Sequence, residues 1–285
     1  MKQFLRNIHQ ERYTPPWLAH LSAEALAHRS PTDPGLHIDQ FYSIVLQLND
    51  FCAAMKDGTI TDPLTALRTA LKLDAEMVPW SMSLPSSWHY TVVKVRLADN
   101  QSVHGDQYHV YSSMRICSHW NNYRAARIFL HSVILRLCEQ ILRGDNQKAS
   151  ECQHLSVQSR ETVKQMCEDI CASVPYLFGS TDCDPADRLL KAGNQMNPSA
   201  AGGFLGIWPM FMAAGSVATP PPLRQWLIHC LEKVGHSMGI SQALVMGQLL
   251  REGQPPQVAF TANDSVDECD SAVELSPIRD ICSDR

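Results

Sequence analysis

Apolar residues recur every three or four positions through most of the chain, and the longest pattern of this kind runs over residues 104–143. This stretch contains no proline, and glycine occurs only at its ends, at Gly105 and Gly144. The spacing predicts one long helix. Its apolar positions are Tyr108, Tyr111, Ile116, Tyr123, Ile128, Leu130, Val133, Ile134, Leu137, Ile141 and Leu142.

A continuous helix of about 35 residues would be about 50 Å long, which exceeds the width of a small domain. Other helices must therefore pack along it. Beyond Ile128 the apolar positions cover most of the helix circumference, as is typical of a helix surrounded on several sides. The pattern predicts an all-α, multi-helix domain built around this long central helix.

Shorter periodic segments predict the surrounding helices, after one or two short helical pieces within the first 30 residues. These helices are expected over residues 38–55, 63–73, 157–174, 200–216, 223–234 and 241–250. Asp62 and Pro63 supply a cap and a first-turn proline to the second of them. Small residues at 200–203 predict that another helix packs closely against the helix at 200–216.

Proline and glycine predict where several helices end. We expect Pro175 to end the helix before it, Pro209 to kink its helix unless the helix starts there, and Gly235 to cap the next one. The polar residues 145–156 are expected to form a linker, and residues 178–199 a long loop.

The helical pattern breaks between residues 74 and 101. The run TVVKVRL at residues 91–97 is rich in β-branched residues and is the only good strand candidate in the chain. Trp80, Trp88 and Tyr90 lie beside it. We interpret this part as an extended segment whose tryptophans cover the core, in preference to an aromatic cage for a ligand.

The last 33 residues differ in composition from the rest, so we divide the chain into a helical domain over residues 1–252 and an acidic tail over residues 253–285. The tail carries seven acidic and two basic side chains, and the difference of five equals the whole formal net charge of -5. Such a segment can stay disordered and fold onto a partner, as acidic activation segments do. The alternative is a solvated terminus without a function of its own.

The composition of 45% hydrophobic and 19% charged residues is ordinary for a soluble protein and indicates neither wholesale disorder nor a membrane protein. The first residues, MKQFLRNIHQER, carry charge where a secretory signal would be apolar. We therefore expect an intracellular protein without a membrane span. The net charge of -5 gives no basic footprint for nucleic acid.

Motifs that carry chemistry are absent from the sequence: it has no G-x-S-x-G elbow, no H-E-x-x-H, no phosphate-binding G-x-x-x-x-G-K and no G-x-G-x-x-G. His104, His109, His119 and His131 lie on or near the predicted central helix, but their spacing does not put three or four on one face, as a metal site requires. We interpret them as isolated surface or packing residues. No catalytic, cofactor-binding or metal-binding residue is predicted.

The ten cysteines include no C-x-x-C pair, which removes the usual arrangement of a structural zinc site. Cys138, Cys167, Cys171 and Cys230 fall within apolar helical patterns and are expected to be free, buried thiols. Cys167 and Cys171 share a helix face without an acidic or histidine neighbour, so we expect them in the core.

Five arginines lie along the predicted central helix, at positions 115, 124, 127, 136 and 143. They are spread over several turns without interleaved aromatic residues, so ion pairs are favoured over phosphate binding. Arg124, beside Tyr123 and Trp120, is the one we expect to be partly buried and costly to remove.

The order of several segments resembles the regulatory, or middle homology, region of fungal zinc-cluster transcription factors. The similarity lies in Leu73-Asp74 followed by Trp80, Pro85, Trp88 and Tyr90, then HWNNYRAARIFLH at residues 119–131, EDICASVPYLFG at 168–179, AAGGFLGIWPMFMAAGS at 200–216 and RQWLIHCLEKVGHSMGISQAL at 224–244. It covers most of residues 36–250. No single block is decisive, because none binds a metal or performs chemistry, but five blocks in the correct order are a specific signal.

The resemblance implies an α-helical domain that modulates a transcription factor in the nucleus of a filamentous fungus, and many such proteins regulate gene clusters for secondary metabolites. The implied partners are proteins, either transcription machinery or related zinc-cluster factors, together with a small-molecule effector. The sequence departs from the family because the six-cysteine zinc cluster with its two C-x-x-C pairs is missing. Direct DNA binding is therefore not expected from this chain.

A second hypothesis is a helical enzyme or small-molecule-binding protein of a biosynthetic pathway. Its pocket would lie among Trp80, Trp88, Trp120 and Trp208. Titratable groups that converge on these tryptophans in the fold would favour it.

Overall fold

The computed structural model describes residues 13–95, 103–144, 148–179 and 198–253. These segments form eight helices and one two-stranded antiparallel hairpin, which confirms the predicted helical class. The helices are α1 Pro16–His28, α2 Leu36–Lys56, α3 Pro63–Met82, α4 Met114–Gly144, α5 Ala149–Leu177, α6 Pro198–Gly215, α7 Pro221–Met238 and α8 Ser241–Arg251. The strands are β1 Thr91–Lys94 and β2 Gln107–Val110, and a short 3-10 helix, Ser86–Trp88, precedes them.

Helix α4 is the predicted central helix, with 31 residues. Ile128, Leu130, Val133 and Ile134 are each 0% exposed, so the helix is covered on several sides. Helix α5 packs along it most extensively, and α3 and α6 cover other faces. The central position follows from the breadth of its apolar surface.

The predicted start of the central helix at residue 104 is wrong, because residues 107–110 form strand β2. This strand pairs with β1, so that Val93 lies opposite Tyr108 and Val92 opposite His109. Pairs of β-branched and aromatic residues stabilise antiparallel strands. The prediction of a strand at 91–97 is confirmed over Thr91–Lys94, but its partner strand was missed.

Helices α3 and α5 are longer than predicted. Helix α3 continues past residue 73 to Met82 and so contains Trp80. Helix α5 begins at Ala149, inside the predicted linker, and passes through Pro175 to end at Leu177. The proline removes one backbone hydrogen bond, but Leu177 beyond it is 0% exposed, and this burial favours two further helical residues.

The predicted cap at Gly235 is also wrong. Helix α7 ends at Met238, and Gly239 follows in the left-handed conformation with φ 69°, which glycine adopts without strain. Gly235 has a packing role instead, since a side chain there would overlap Leu244 of helix α8.

Helix α6 approaches the end of α5 closely, as its small residues predict. A Cβ atom on Gly202 would overlap the backbone carbonyl of Leu177, and one on Gly203 would overlap the sulfur of Met238. Pro209 lies inside α6, which continues to Gly215. The absence of these two side chains therefore lets α6 pack against both α5 and α7.

Some predictions concern residues outside the described segments. They are the helical piece containing Phe4, Leu5 and Ile8, positions 145–147 of the predicted linker, most of the loop at 178–199, and the acidic tail apart from its first residue. The proposed division of the chain at residue 252 stays a prediction.

Candidate functional site

Three of the four tryptophans of the second hypothesis lie together in the fold. Trp80 on α3 lies 6.4 Å from both Trp88 and Trp120 between ring centroids, and 5.3 Å from Tyr123 on α4. The two indole N–H groups that are bonded here donate to backbone carbonyls: Trp80 Nε1 to His37 at 2.7 Å and Trp120 Nε1 to Trp88 at 2.8 Å. Trp80 and Trp88 are each 5% exposed, which agrees with the prediction that the tryptophans cover the core.

Trp208 does not belong to this cluster. It lies on α6, where its ring is 6.1 Å from Phe211, and no ring contact joins it to the other three tryptophans in the described segments. The prediction of a pocket lined by all four tryptophans is therefore wrong, since Trp208 lies on a helix that covers a different part of the core.

Arg124 on α4 is the most deeply buried charged side chain beside this aromatic cluster, with 1% exposure. Its Nη1 donates to the Tyr111 hydroxyl at 2.7 Å and to the Asn121 Oδ1 at 2.8 Å. The guanidinium carbon lies 5.1 Å from the Tyr90 ring centroid and 5.6 Å from that of Trp120. The prediction that Arg124 is buried is confirmed, and its burial is more complete than expected.

The nearest carboxylate to Arg124 in the described segments belongs to Asp169 on α5, with 3.7 Å between Nε and Oδ2. Burial lowers the pKa of Arg124, but electrostatic interactions with Tyr111, Asp169 and Tyr90 outweigh the effect of burial and raise this pKa. Burial raises the pKa of Asp169, and the nearby arginine only partly opposes that rise. Arg124 is thus a buried cation whose counter-ion lies near it without a direct hydrogen bond.

Arg127, one turn further along α4, forms a direct two-bonded ion pair with a carboxylate. Its Nε and Nη2 donate to the two carboxylate oxygens of Asp74 on α3, at 2.8 and 3.0 Å. Burial raises the pKa of Asp74, but hydrogen bonds from His131 and Arg127 outweigh this and lower it to about 2. The ion pair joins α3 to α4.

His131 extends this pair to a third helix. Its Nε2 lies 3.2 Å from Asp74 Oδ1, and its Nδ1 lies 3.1 Å from the Ser159 hydroxyl on α5. Serine, histidine and aspartate are the residue types of a hydrolytic triad. Here, however, Ser159 is 3% exposed and Asp74 is already paired with Arg127, so the array as it stands joins three helices.

The four histidines considered for a metal site lie apart. His104 contacts Trp226, His109 contacts Tyr90, His119 stacks on Trp88, and His131 lies between Asp74 and Ser159. Burial lowers the pKa of His109 to about 3 and of His119 to about 4, with nearby arginines adding to the effect. Across the described segments no three histidine, cysteine or carboxylate side chains are placed to hold a metal ion.

The four helical cysteines are buried free thiols, as predicted. Burial raises the pKa of Cys138 to about 11, and of Cys167 and Cys230 to about 12, and it raises that of Cys171 as well. Thiolates are the nucleophilic form, so these cysteines are poor nucleophiles at neutral pH. Their packing supports the prediction that Cys167 and Cys171 belong to the core.

The sequence did not reveal which residues pair with the arginines of α4. Asp74 and Asp169 lie 53 and 45 positions away from their partners, and Ser159 lies 28 positions from His131. Asp74 and Asp169 do belong to the segments that carry the resemblance. The presence of opposite charges within those segments is the sequence feature that could have indicated these pairs.

Comparison with curated proteins finds a distant similarity to Transcription factor dbaG of Emericella nidulans. The two are 27% identical over 207 residues, which is 68% of this chain and 46% of that protein. The chain therefore spans about half the length of the curated relative that it matches. No protein-family profile matches the chain, and no solved structure matches it. In the described segments, none of the helices is both long enough and apolar enough to cross a bilayer. The chain is thus mostly helical and distantly similar to a fungal transcription factor.

Proposed function

We propose that this protein regulates transcription in the nucleus of a fungus and acts through protein partners. The similarity to Transcription factor dbaG over 207 residues is the observation that carries the proposal. The partners are transcription machinery or related zinc-cluster factors, and the regulated genes form a cluster for a secondary metabolite. The 285 residues contain no six-cysteine zinc cluster, so their own contribution is through protein contacts.

The interior of the fold supports a scaffold role. Arg124, Arg127 and His131 are engaged with side chains of other elements, so these groups stabilise helix packing. The net charge of -5 disfavours a phosphate backbone as the partner and favours proteins. We infer that contact with other macromolecules, and not conversion of a substrate, is the activity.

The test combines localisation with a transcript profile. A fluorescent fusion of the full chain should concentrate in the nucleus, and deletion of the gene should change transcripts of neighbouring genes. The same fusion with a nuclear export signal is the matched control, because it keeps the protein but moves it out of the nucleus, and it should behave like the deletion. Unchanged transcripts together with a missing metabolite would reject the regulatory role in favour of an enzyme.

The zinc-cluster question has its own test. The genomic DNA upstream of Met1 can be read for an in-frame segment with six cysteines. If such a segment is transcribed with this chain, the protein contacts DNA directly through that segment. If none is, it reaches its genes through protein partners, and the regulatory role stands in either case.

The acidic tail is tested as an activation segment. Residues 253–285 are fused to a heterologous DNA-binding domain and should raise reporter expression. The matched control replaces their seven aspartates and glutamates by asparagine and glutamine, which keeps the apolar residues and removes the charge. Equal output from both fusions, or none from the first, would remove the activation role.

The second candidate function is a hydrolase or other helical enzyme, and the array of Ser159, His131 and Asp74 is the observation that favours it. A fluorophosphonate probe labels an activated serine. The regulatory proposal expects no labelling of the native protein. Labelling that is lost in Ser159→Ala, with the fold retained, would establish the enzyme instead.

A further inference from the structure

The loop between α1 and α2 carries a serine that is followed by proline, Ser30-Pro31. Ser30 is exposed and lies outside the helices and strands. Its side-chain hydrogen bonds stay within the loop: the hydroxyl lies 3.0 Å from the Thr32 hydroxyl and accepts from the Thr32 amide at 3.4 Å. The Ser30 hydroxyl can therefore be reached from solvent.

The sequence contains four serines or threonines that precede proline, and the described segments include Thr14, Ser30 and Thr219. Thr14 and Thr219 are 8% and 4% exposed. Their hydroxyls donate to backbone carbonyls, that of Thr14 to Leu46 at 3.5 Å and that of Thr219 to Ala213 at 2.6 Å. Within the described part of the chain, Ser30 is thus the accessible residue of this kind.

The residue before Ser30 joins α1 to α2. Arg29 Nε donates to Asp39 in the first turn of α2 at 2.6 Å, and Arg29 Nη1 donates to Asp33 in the loop at 2.9 Å. The guanidinium lies over Gly35, where an added Cβ atom would come within 2.7 Å of it. Helix α1 itself contains no buried residue. Its attachment to α2 therefore depends on surface contacts such as this ion pair.

A phosphate on Ser30 would change the charge balance of this loop. Arg29, Asp33 and Asp39 contribute one positive and two negative charges. A phosphoserine adds about 1.5 to 2 further negative charges at neutral pH and three strong acceptor oxygens. Because Arg29 is the adjacent residue, the phosphate would compete with both carboxylates for its guanidinium and would also repel them.

We propose that Ser30 is phosphorylated by a proline-directed protein kinase, which acts on serine or threonine before proline, and that the phosphate takes Arg29 from Asp39 and so loosens α1 from α2. The inference goes beyond the proposed function, because it concerns how the chain is modified. Its readouts are phosphate incorporation and hydrogen exchange, and neither depends on transcription.

The reaction is a phosphoryl transfer from MgATP. The Ser30 hydroxyl oxygen forms a bond with the γ-phosphorus, the bond from that phosphorus to the bridging oxygen breaks, and ADP leaves with the electron pair. A carboxylate of the kinase accepts the hydroxyl proton. Pro31 suits a kinase site that offers no partner for a backbone N–H, because proline has none. The turn is closed by one backbone hydrogen bond, from Asp33 N to Ser30 O at 2.9 Å, which opens when the segment enters the kinase.

Phosphate incorporation is measured with the full chain, MgATP and a purified mitogen-activated protein kinase. Every protein carries Ser276→Ala, because Ser276 also precedes proline and lies outside the described segments. Mass spectrometry should find one phosphate per chain, at Ser30, with Thr14 and Thr219 unmodified. The matched variant Pro31→Ala keeps the hydroxyl and should be phosphorylated at least about tenfold more slowly, since its N–H is left unpaired in the kinase.

Hydrogen exchange measured by mass spectrometry tests the loosening of α1. The amides of α1 should exchange at least about threefold faster in the phosphorylated chain than in Ser30→Ala treated with the same kinase, and those of α4 should not change. The effect is local, because exposed ion pairs add little to the stability of a whole domain. Arg29→Gln without phosphate should show faster exchange in α1, and phosphorylation of Arg29→Gln should add less than it does with Arg29 present.

Three results would overturn the inference. One is a chain with Ser30 and Pro31 intact that the kinase leaves unmodified at Ser30. Another is Pro31→Ala phosphorylated as fast as the chain that retains the proline. The third is a phosphate on Ser30 that leaves the exchange of α1 unchanged, or that speeds it equally with and without Arg29.

Discussion

Replacement of Asp74 by asparagine removes the charge that joins α3 to Arg127 and His131 on α4 while keeping nearly the same shape. The fall in the pKa of Asp74 from 3.8 to about 2 corresponds to about 2 kcal/mol of stability at neutral pH. Removing one partner of a fully buried ion pair costs roughly 3–5 kcal/mol. Asp74 and Arg127 are 19% and 12% exposed, so solvent screens the pair in part. We expect Asp74→Asn to lower the free energy of unfolding by about 2–3 kcal/mol at pH 7.

The stability that Asp74 contributes should decrease as the pH falls. The pKa of Asp74 is lower in the folded protein than in the unfolded chain, so its contribution is fully present above the unfolded value and is lost as the pH falls towards about 2. Asparagine does not titrate. The stability difference between wild type and variant should therefore be constant near neutrality and shrink between about pH 4 and pH 2.

Urea unfolding followed by circular dichroism at a series of pH values measures both effects. Asp39→Asn is the matched control, because Asp39 accepts from Arg29 at 2.6 Å and is about as exposed as Asp74, but its partner Arg29 is 36% exposed whereas Arg127 is 12% exposed. Surface pairs contribute little, so the control should stay close to the wild type at every pH. A loss in Asp74→Asn no larger than in the control, or one that persists unchanged to pH 2, would refute the argument.

Three further predictions follow from packing. Gly202→Ala should lower the free energy of unfolding by roughly 2–4 kcal/mol, because the added methyl group overlaps the Leu177 carbonyl. Gly247→Ala meets only ordinary contacts and should raise the free energy of unfolding by up to about 1 kcal/mol. Urea unfolding measures both variants, and equal effects would contradict the close approach of α6 to α5. Cys171 should react with a thiol reagent only after denaturation, since burial raises its pKa, and rapid labelling of the native protein would contradict its place in the core. Trp17→Ser should leave the melting temperature nearly unchanged, because Trp17 is 62% exposed, and a large fall would show that it is covered in solution.

The helices were predictable where one face of the chain is continuously apolar. Helix α8 was expected over residues 241–250 and is observed at Ser241–Arg251, and Asp62 caps α3 by accepting from the backbone of Leu64 and Thr65. The start of α4 was not predictable from periodicity. Tyr108 and Tyr111 are spaced as on a helix, but Tyr108 pairs with Val93 across the hairpin, and this contact is invisible to a pattern read along one segment.

The candidate site was predictable in its residue types but not in its pairs. The burial of Arg124 follows from its neighbours on the helix, and the aromatic character of the cluster follows from Trp80 and Trp88. Which carboxylate each arginine meets depends on how far α3 and α5 slide along α4. That offset is fixed by side-chain packing over the whole interface, such as the overlap that Gly202 avoids, and no short segment encodes it.

The segments that carry the resemblance supply much of the interior of the fold. Trp80, Arg124 and Leu227 come from three of them and are 5%, 1% and 0% exposed, and Asp169 from a fourth lies against Arg124. Segments that supply buried residues determine how the helices pack, and one packing arrangement supports many activities. A regulator and an enzyme built on this scaffold would share these interior residues and would differ in what they contact. For this reason the nuclear export control and the labelling of Ser159 separate the two functions, whereas a variant of the interior would disable both.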